Sequence, residues 1–291
     1  MKILVTGHSG FIGTNLCAHL SSLGHDLVKC SRGAGCDLND SNAARSAVRG
    51  VELVFHLAAD ARPAESLASP WETYLTNSRT TTNVALACRD SATPLVYTSS
   101  CEIYGDWQGR ITEETRFAPT NPYAASKAAC DRLLYSFHHA YGLDVKLVRL
   151  FNPYGPGQQL NKILPTFYYQ AKKNGPLTVF GDGNDTRDYV FISDIVKGIW
   201  EGRRLPPGEA VNLATGVATT SNAVAKLIID KLHSSSTITN TPYPKLFGGI
   251  KYQMGSFEKA EHLLGWKPTT SFEAGVNKTI QWLESLKVDS K

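Results

Sequence analysis

The chain opens Lys2-Ile3-Leu4-Val5-Thr6-Gly7-His8-Ser9-Gly10-Phe11-Ile12-Gly13, and these residues read as a strand, a glycine turn and the start of a helix. The short apolar run stops at Gly7. From Phe11 to Leu23 the apolar positions recur at helical spacing, and Gly24 stands just beyond as a C-terminal cap. A turn carrying Gly7, Gly10 and Gly13 leaves bare backbone where a dinucleotide pyrophosphate approaches, and the helix N-terminus offers it unpaired N–H groups. Such a triplet alone is a weak signal; its place between a first strand and a first helix gives it meaning.

Outward from this unit the alternation continues. Residues 26–31, 53–57, 94–99 and 145–150 read as strands, with helices at 42–48, within 71–89 and at 123–141. Repeated strand–helix units predict a mostly parallel sheet covered on both faces, a doubly wound α/β domain over residues 1–150 whose ligands sit outside the C-terminal strand ends. Beyond Phe151, Pro and Gly clusters at 153–157, 181–183 and 206–208 break the pattern. Helices are expected at 164–174, 193–202, 220–232, 256–264 and 272–286. We read a smaller, partly discontinuous α/β substrate domain over 151–291, with a segment near 184–205 returning to the first domain.

Composition narrows the classes. With 291 residues, 42% of them hydrophobic, the chain has ample material for a core and is not disordered. Thirty Lys and Arg against 26 Asp and Glu, with no run of like charge, speak against nucleic acid or a membrane surface as partner and leave a small molecule. The first apolar run is too short for a signal segment or a membrane span, so a cytoplasmic protein is expected. The six cysteines form no C-x-x-C pair or zinc-ligand cluster, and reduced thiols and no metal are expected. His138 and His139 are adjacent, point to different faces of a helix and are read as surface.

The second strand ends Cys30-Ser31-Arg32, without the carboxylate that reads a ribose 2′-hydroxyl. Ser31 and Arg32 suit a 2′-phosphate, because a guanidinium pairs with phosphate through charge-assisted hydrogen bonds; NAD and NADP both stay open. Asp37 and Leu38 follow at the expected adenine edge. Tyr123 and Lys127, four apart at a helix start, share one face. An ammonium beside a phenol lowers its pKa toward a useful general acid–base range. Ser99 and Ser100 close a strand where a parallel sheet presents its chemistry, and a hydroxyl there reaches the same substrate oxygen as Tyr123.

Together with His56-Leu57-Ala58-Ala59, Tyr104-Gly105, Asn152-Pro153-Tyr154-Gly155-Pro156-Gly157, Val179-Phe180-Gly181-Asp182-Gly183, Arg187-Asp188-Tyr189 and Leu264-Gly265-Trp266-Lys267-Pro268, these motifs resemble the extended short-chain dehydrogenase/reductases, in the subgroup of nucleotide-sugar epimerases and dehydratases. The resemblance covers nearly the whole chain and implies a Rossmann fold. It implies that Tyr123 takes a sugar hydroxyl proton while the adjacent carbon is oxidised, with Ser100 on the same hydroxyl and Lys127 on the cofactor ribose. Gly7, Gly10, Phe11, Ile12, Gly13, Leu57, Ala58, Ala59, Asn77 and Ser99 would line the cofactor. Asn152 and Arg187 would face the diphosphate of a nucleotide-diphosphate sugar, with Leu164, Val179 and Phe180 flanking its base. A homodimer through the 71–89 and 123–141 helices is also implied.

Cys101-Glu102 follows Ser100. Members with dehydratase activity carry Glu at the second of these positions, and elimination requires a base at C5 and an acid for the departing 6-hydroxyl. Glu102 is the expected base and Cys101 the expected acid. The usual partner is Asp; a Cys-Glu pair is similar to that of the UDP-N-acetylglucosamine 5,6-dehydratase of tunicamycin biosynthesis. The expectation is a nucleotide-sugar dehydratase giving a 5,6-ene or a 4-keto-6-deoxy product from a UDP-hexose such as UDP-N-acetylglucosamine. A UDP-hexose 4-epimerase is the first alternative and a non-catalytic dinucleotide-binding regulator the second. The chain departs from the family at Thr186, which precedes Arg187, and at Gly248-Gly249-Ile250, where an Arg followed by Gly-Asp is frequent; Lys245 or Lys251 are candidates for the missing charge.

Overall fold

The computed structural model describes residues 1–245 and 249–286; Gly248 lies outside the described residues. Along the chain come β1 (Lys2–Thr6), α1 (Phe11–Ser22), β2 (Asp26–Cys30), α2 (Ser41–Val48), β3 (Leu53–His56), α3 (Pro63–Ser66), α4 (Pro70–Asp90), β4 (Leu95–Ser100), α5 (Pro122–Tyr141), β5 (Val145–Leu150) and β6 (Pro153–Tyr154). They are followed by α6 (Ile163–Lys172), β7 (Leu177–Phe180), β8 (Thr186–Arg187), β9 (Val190–Phe191), α7 (Ile192–Gly202), β10 (Ala210–Leu213), β11 (Thr219–Thr220), α8 (Ser221–Leu232), β12 (Ile238–Thr241), α9 (Glu258–Leu264) and α10 (Phe272–Ser285).

Six strands form one parallel sheet in the order β10-β5-β4-β3-β1-β2. Residues that alternate along a strand face opposite sides, and here both sides are apolar, as a sheet covered on both faces requires. Ile3, Val5, Leu53, Phe55, Val96 and Val148 pack with Leu16 and Leu20 of α1 and Ile195 and Ile199 of α7. Their neighbours Leu4, Val54, Leu95, Tyr97, Val145 and Leu147 pack on the other face, with Ala44 and Val48 of α2, Val84 of α4 and Leu134 of α5. The doubly wound class read from the sequence is the class observed.

β10 extends the sheet beyond β5, pairing Ala210 with Leu147 and Leu213 with Leu150. The sequence did not announce this strand, because it is only four residues long and Asn212 interrupts its apolar run. Asn212 is nonetheless buried, accepting from the Tyr104 hydroxyl at 2.8 Å. Tyr104 in turn accepts from Arg149, whose guanidinium makes two 3.0 Å hydrogen bonds to the Asp131 carboxylate on α5. This buried network joins α5, β5, β10 and the turn after β4. The remaining strands make small pairs, β7 with β12, β8 with β11 and β6 with β9, beside α6, α8 and α10.

One expectation is overturned. Cys30 and Cys36 are joined by a disulfide, not held as reduced thiols. The chain leaves β2 at Cys30, makes a 3₁₀ turn at Arg32–Ala34 and returns with Gly35 at φ 78°, which brings the two Cα atoms within 5.3 Å, inside the span a disulfide bridges. Sequence spacing did not disclose that return. Cys17, Cys88, Cys101 and Cys130 are free and buried. Among the described residues no helix is long and apolar enough to cross a membrane, and no cluster of His, Cys, Asp or Glu suited to a metal occurs.

Candidate active site

A groove of about 1030 Å³ runs across the C-terminal ends of the parallel strands. Its floor at one end is made by the glycine turn. Gly7 has φ 68°, and a Cβ there would fall 2.8 Å from the Ala58 nitrogen; a Cβ on Gly13 would fall 2.2 Å from the Gly7 oxygen. No side chain fits at either position, so backbone alone faces the groove. Thr6 fixes the neighbouring strand end: its Oγ1 accepts from the Leu57 and Ala58 N–H groups, both at 3.1 Å.

Gly10, Phe11, Ile12, Ala59, Leu38 and Ser99 line the same stretch, and Ser31, Arg32 and Asp37 close its far end. Ser31 and Ser99 line the groove, and their hydroxyls are buried without a hydrogen-bond partner. Arg32 is exposed and 3.9 Å from the Asp37 carboxylate. Asn77 does not line the groove. It accepts from the Asp60 N–H at 2.7 Å and donates to the Ser126 hydroxyl at 2.8 Å, and it is Asp60 that reaches the wall. The resemblance placed Asn77 on the ligand; α4 instead holds it one layer behind, bracing the loop after β3.

In the middle of the groove Ser100, Cys101, Glu102, Tyr123 and Lys127 come together from β4, the turn after it and α5. Pro122 occupies the first helical position and Asn121 caps it, accepting from the Ala124 N–H at 2.8 Å, while the Tyr123 N–H donates to Ser66. The Tyr123 hydroxyl lies near Ser100, whose Oγ accepts from the Glu102 N–H at 3.2 Å. The Tyr123 phenol is not lowered as the Tyr–Lys spacing suggested: burial holds it well above the usual range, and the Glu102 charge adds to this. Lys127 donates to the Thr98 carbonyl at 2.6 Å and lies 4.2 Å from the Tyr97 ring centre, while burial brings its own pKa down to about 8.

Glu102 accepts from the Asn121 side-chain amide at 2.8 Å. Burial pushes its pKa up, against the pull of that hydrogen bond, Arg187 and Lys162. Cys101 is buried too, and its thiol donates to the Gln253 Oε1 at 3.5 Å. Burial pushes it up to about 12, with Glu102 the next cause.

At the outer end, Arg187 donates to the carbonyls of Thr186 and Ile250, both at 2.8 Å, leaving its planar fork held against the wall. Asn152 donates to the Asp188 carbonyl at 3.1 Å; Leu164 and Val179 are buried in the lining and Phe180 stands half exposed at the rim. Sequence reasoning missed Asp60, Lys162 and Gln253. The groups that the last two face, Glu102 and Cys101, lie far off in sequence. Asn121 was also missed, although an Asn before Pro at a helix start is a readable cap signal.

The model of the NAD dependent epimerase/dehydratase family matches residues 3–214. The chain belongs to this family. Among curated relatives of this epimerase/dehydratase, an uncharacterized UDP-glucose epimerase of Bacillus subtilis (strain 168) is 30% identical over 98% of this chain and 99% of its own. A dTDP-glucose 4,6-dehydratase of Streptomyces antibioticus is 28% identical over 97% of this chain and 92% of its own. The solved dTDP-glucose 4,6-dehydratase of Streptomyces venezuelae, with NAD bound, superposes at a TM-score of 0.89 with 28% identity over 98% of this chain and 97% of that one. Epimerases and dehydratases thus both stand among the relatives of this family member.

Proposed function

We propose that the chain is a nucleotide-sugar dehydratase, acting on a UDP-hexose such as UDP-N-acetylglucosamine by transient oxidation at C4, removal of the C5 proton and loss of the 6-hydroxyl. The observation that carries this reading is Glu102: a half-buried carboxyl, raised in basicity by burial, lining the groove with Tyr123 and Ser100. An enzyme that only oxidises and reduces at C4 has no use for a second base there.

The backbone of Gly7, Gly10 and Gly13 would hold the dinucleotide pyrophosphate, Ser31 and Arg32 the adenosine ribose, and Lys127 the second ribose. When bound, the nicotinamide supplies a reversible acceptor for the hydrogen leaving the sugar carbon. Tyr123 and Ser100 share the C4 hydroxyl, and Tyr123 takes its proton as a phenolate, a form that burial and the Glu102 charge oppose and that a neighbouring cation must stabilise. Once C4 is a carbonyl, the C5 proton is acidified and Glu102 removes it.

Cys101 does not suit the acid role assigned to it from the sequence. Its proton is committed to Gln253, and a thiol pushed up to about 12 is a poorer donor than an ordinary one. Glu102 carries the C5 proton after abstraction, so the same carboxyl gives it to the departing 6-hydroxyl, which leaves as water. One group then serves as base and acid; the hydrogen taken from C4 returns to C4, with the Tyr123 proton on the oxygen, to leave the 5,6-ene, or to C6, with a proton from solvent at C5, to leave the 4-keto-6-deoxy sugar.

Incubation with UDP-, dTDP-, GDP- and CDP-hexoses tests the reading. Loss of one water supports it, and the proton signals at C4 and C6 tell the 5,6-ene from the 4-keto-6-deoxy product. An isomer of unchanged composition contradicts it and makes the chain a 4-epimerase. Titrations with NAD and NADP assign the cofactor: affinity for NADP at least tenfold above that for NAD places Arg32 on a 2′-phosphate.

A further inference from the structure

Asn121 stands in an unusual position, with its two ends doing different work. Its Oδ1 accepts from the Ala124 N–H at 2.8 Å and so closes the first turn of α5, the helix that carries Tyr123 and Lys127. Its Nδ2 donates to the Glu102 Oε2, also at 2.8 Å. The side chain is buried, and the two partners fix which end is oxygen and which nitrogen, since an N–H must meet an acceptor and a carboxylate must meet a donor.

We infer that Asn121 is a positioning residue: one amide that locks the register of the Tyr123 helix to the Glu102 carboxylate, so that the two groups enter the groove as a unit. This rests on the reading of Glu102 as the base. The chemistry narrows the residue to Asn. Aspartate caps a helix equally well but has no donor for a second carboxylate. Serine caps it too, but its hydroxyl stops short of Glu102.

Holding the carboxylate has an electrical consequence. A hydrogen bond to the charged form favours that form, so Asn121 pulls the Glu102 pKa down against the burial that raises it. The other groups facing Glu102 are Lys162 from the start of α6 and Arg187 from β8, which also favour the charge, with Tyr123 on α5 and Cys101 in its own turn opposing it when ionised. Of these only Tyr123 belongs to the capped turn of α5, and it opposes the charge on Glu102. Asn121 is the link between the charge of Glu102 and the placement of the helix.

The test compares the native chain with Asn121→Ser and Asn121→Asp. The Glu102 carboxyl is titrated by carbon NMR in protein labelled at Glu carboxyls, with Glu102→Gln assigning the signal; thermal midpoint, NAD affinity and the pH profile of turnover are measured beside it. Both variants keep the cap, so NAD affinity should stay close to the native value; the midpoint should stay close in Asn121→Ser and fall in Asn121→Asp, where two carboxylates meet. In Asn121→Ser the proton affinity of Glu102 should rise roughly tenfold, as expected for loss of one charge-assisted hydrogen bond, and in Asn121→Asp further. The acid limb of the turnover profile should move upward in step. A Glu102 titration unchanged in both variants overturns the inference whatever the reaction proves to be. A shifted titration in a protein that releases only an isomer supports the positioning role and overturns the dehydratase reading instead.

Discussion

At the scale of single residues, the chemistry turns on adjacent side chains with opposite prospects. Glu102 is a carboxyl that burial has made more basic, and Cys101 is a thiol that burial has made less acidic. If one carboxyl is both base and acid, Cys101→Ala should keep the larger part of dehydration, within about tenfold, whereas a thiol acting as general acid is worth about 10²–10⁴-fold. A loss in that upper range in steady-state turnover would return the acid role to Cys101. Tyr123→Phe, which leaves packing intact and removes the hydroxyl, should cut oxidation of the sugar by about 10²–10⁴-fold. Another buried group sets acid stability. His56 lies between the Thr6 and Thr81 hydroxyls, and burial, aided by the Lys127 charge, pushes its pKa down to about 3. The unfolded imidazole binds a proton below about 6.5 while the native one stays neutral down to about 3, so in that window the unfolded state holds more protons and stability is lost as the pH is lowered, by up to about 1.4 kcal/mol per unit. His56→Gln should flatten urea-measured stability between about pH 6.5 and 4 by that slope; an unchanged slope would mean that the imidazole already carries charge in the fold.

At the scale of elements, the parallel sheet and the long helices were legible because each carries its own local signal. The glycine turn sits between an apolar strand and a periodic helix, and Tyr123 and Lys127 lie one turn apart at a capped helix start. What escaped the sequence depends on partners far along the chain or on a backbone path. Gln253 reaches Cys101 across 152 positions, β10 finds β5 only in the folded sheet, and Asn77 turns behind the loop it was expected to face. The Cys30–Cys36 bond belongs to the same class, since it depends on the turn between β2 and α2. That turn carries Ser31 and Arg32 to the end of the groove, so the bond constrains the segment proposed to hold the adenosine ribose. Denatured without reductant, the chain should titrate four thiols, those of Cys17, Cys88, Cys101 and Cys130. Cys36→Ser should lower stability by about 2 kcal/mol, the value expected for opening so short a loop. Six titratable thiols, or a variant as stable as the native chain, would show that the bond is not formed in solution.

At the scale of the whole molecule, the groove is assembled from both parts of the chain: the strand ends of the sheet give it the glycine turn and the Tyr123 cluster, and β7 and β8 give it Val179, Phe180 and Arg187. On the far side, α4 and α5 lie against each other and expose Trp71, Tyr74, Tyr135 and Tyr141. Aromatic groups of this size on two adjoining helices suit a symmetric partner, and sedimentation should give twice the chain mass. A monomer mass independent of concentration would contradict that. The central claim is that Glu102 removes a proton from C5 of a nucleotide sugar, and it is tested most directly by turnover in deuterated water with the native chain and Glu102→Gln side by side. The native chain should release a product one water lighter and return unreacted sugar bearing deuterium at C5. Glu102→Gln should bind NAD as before and show neither; deuterium at C5 in that variant, or an isomer of unchanged composition from the native chain, would contradict the claim.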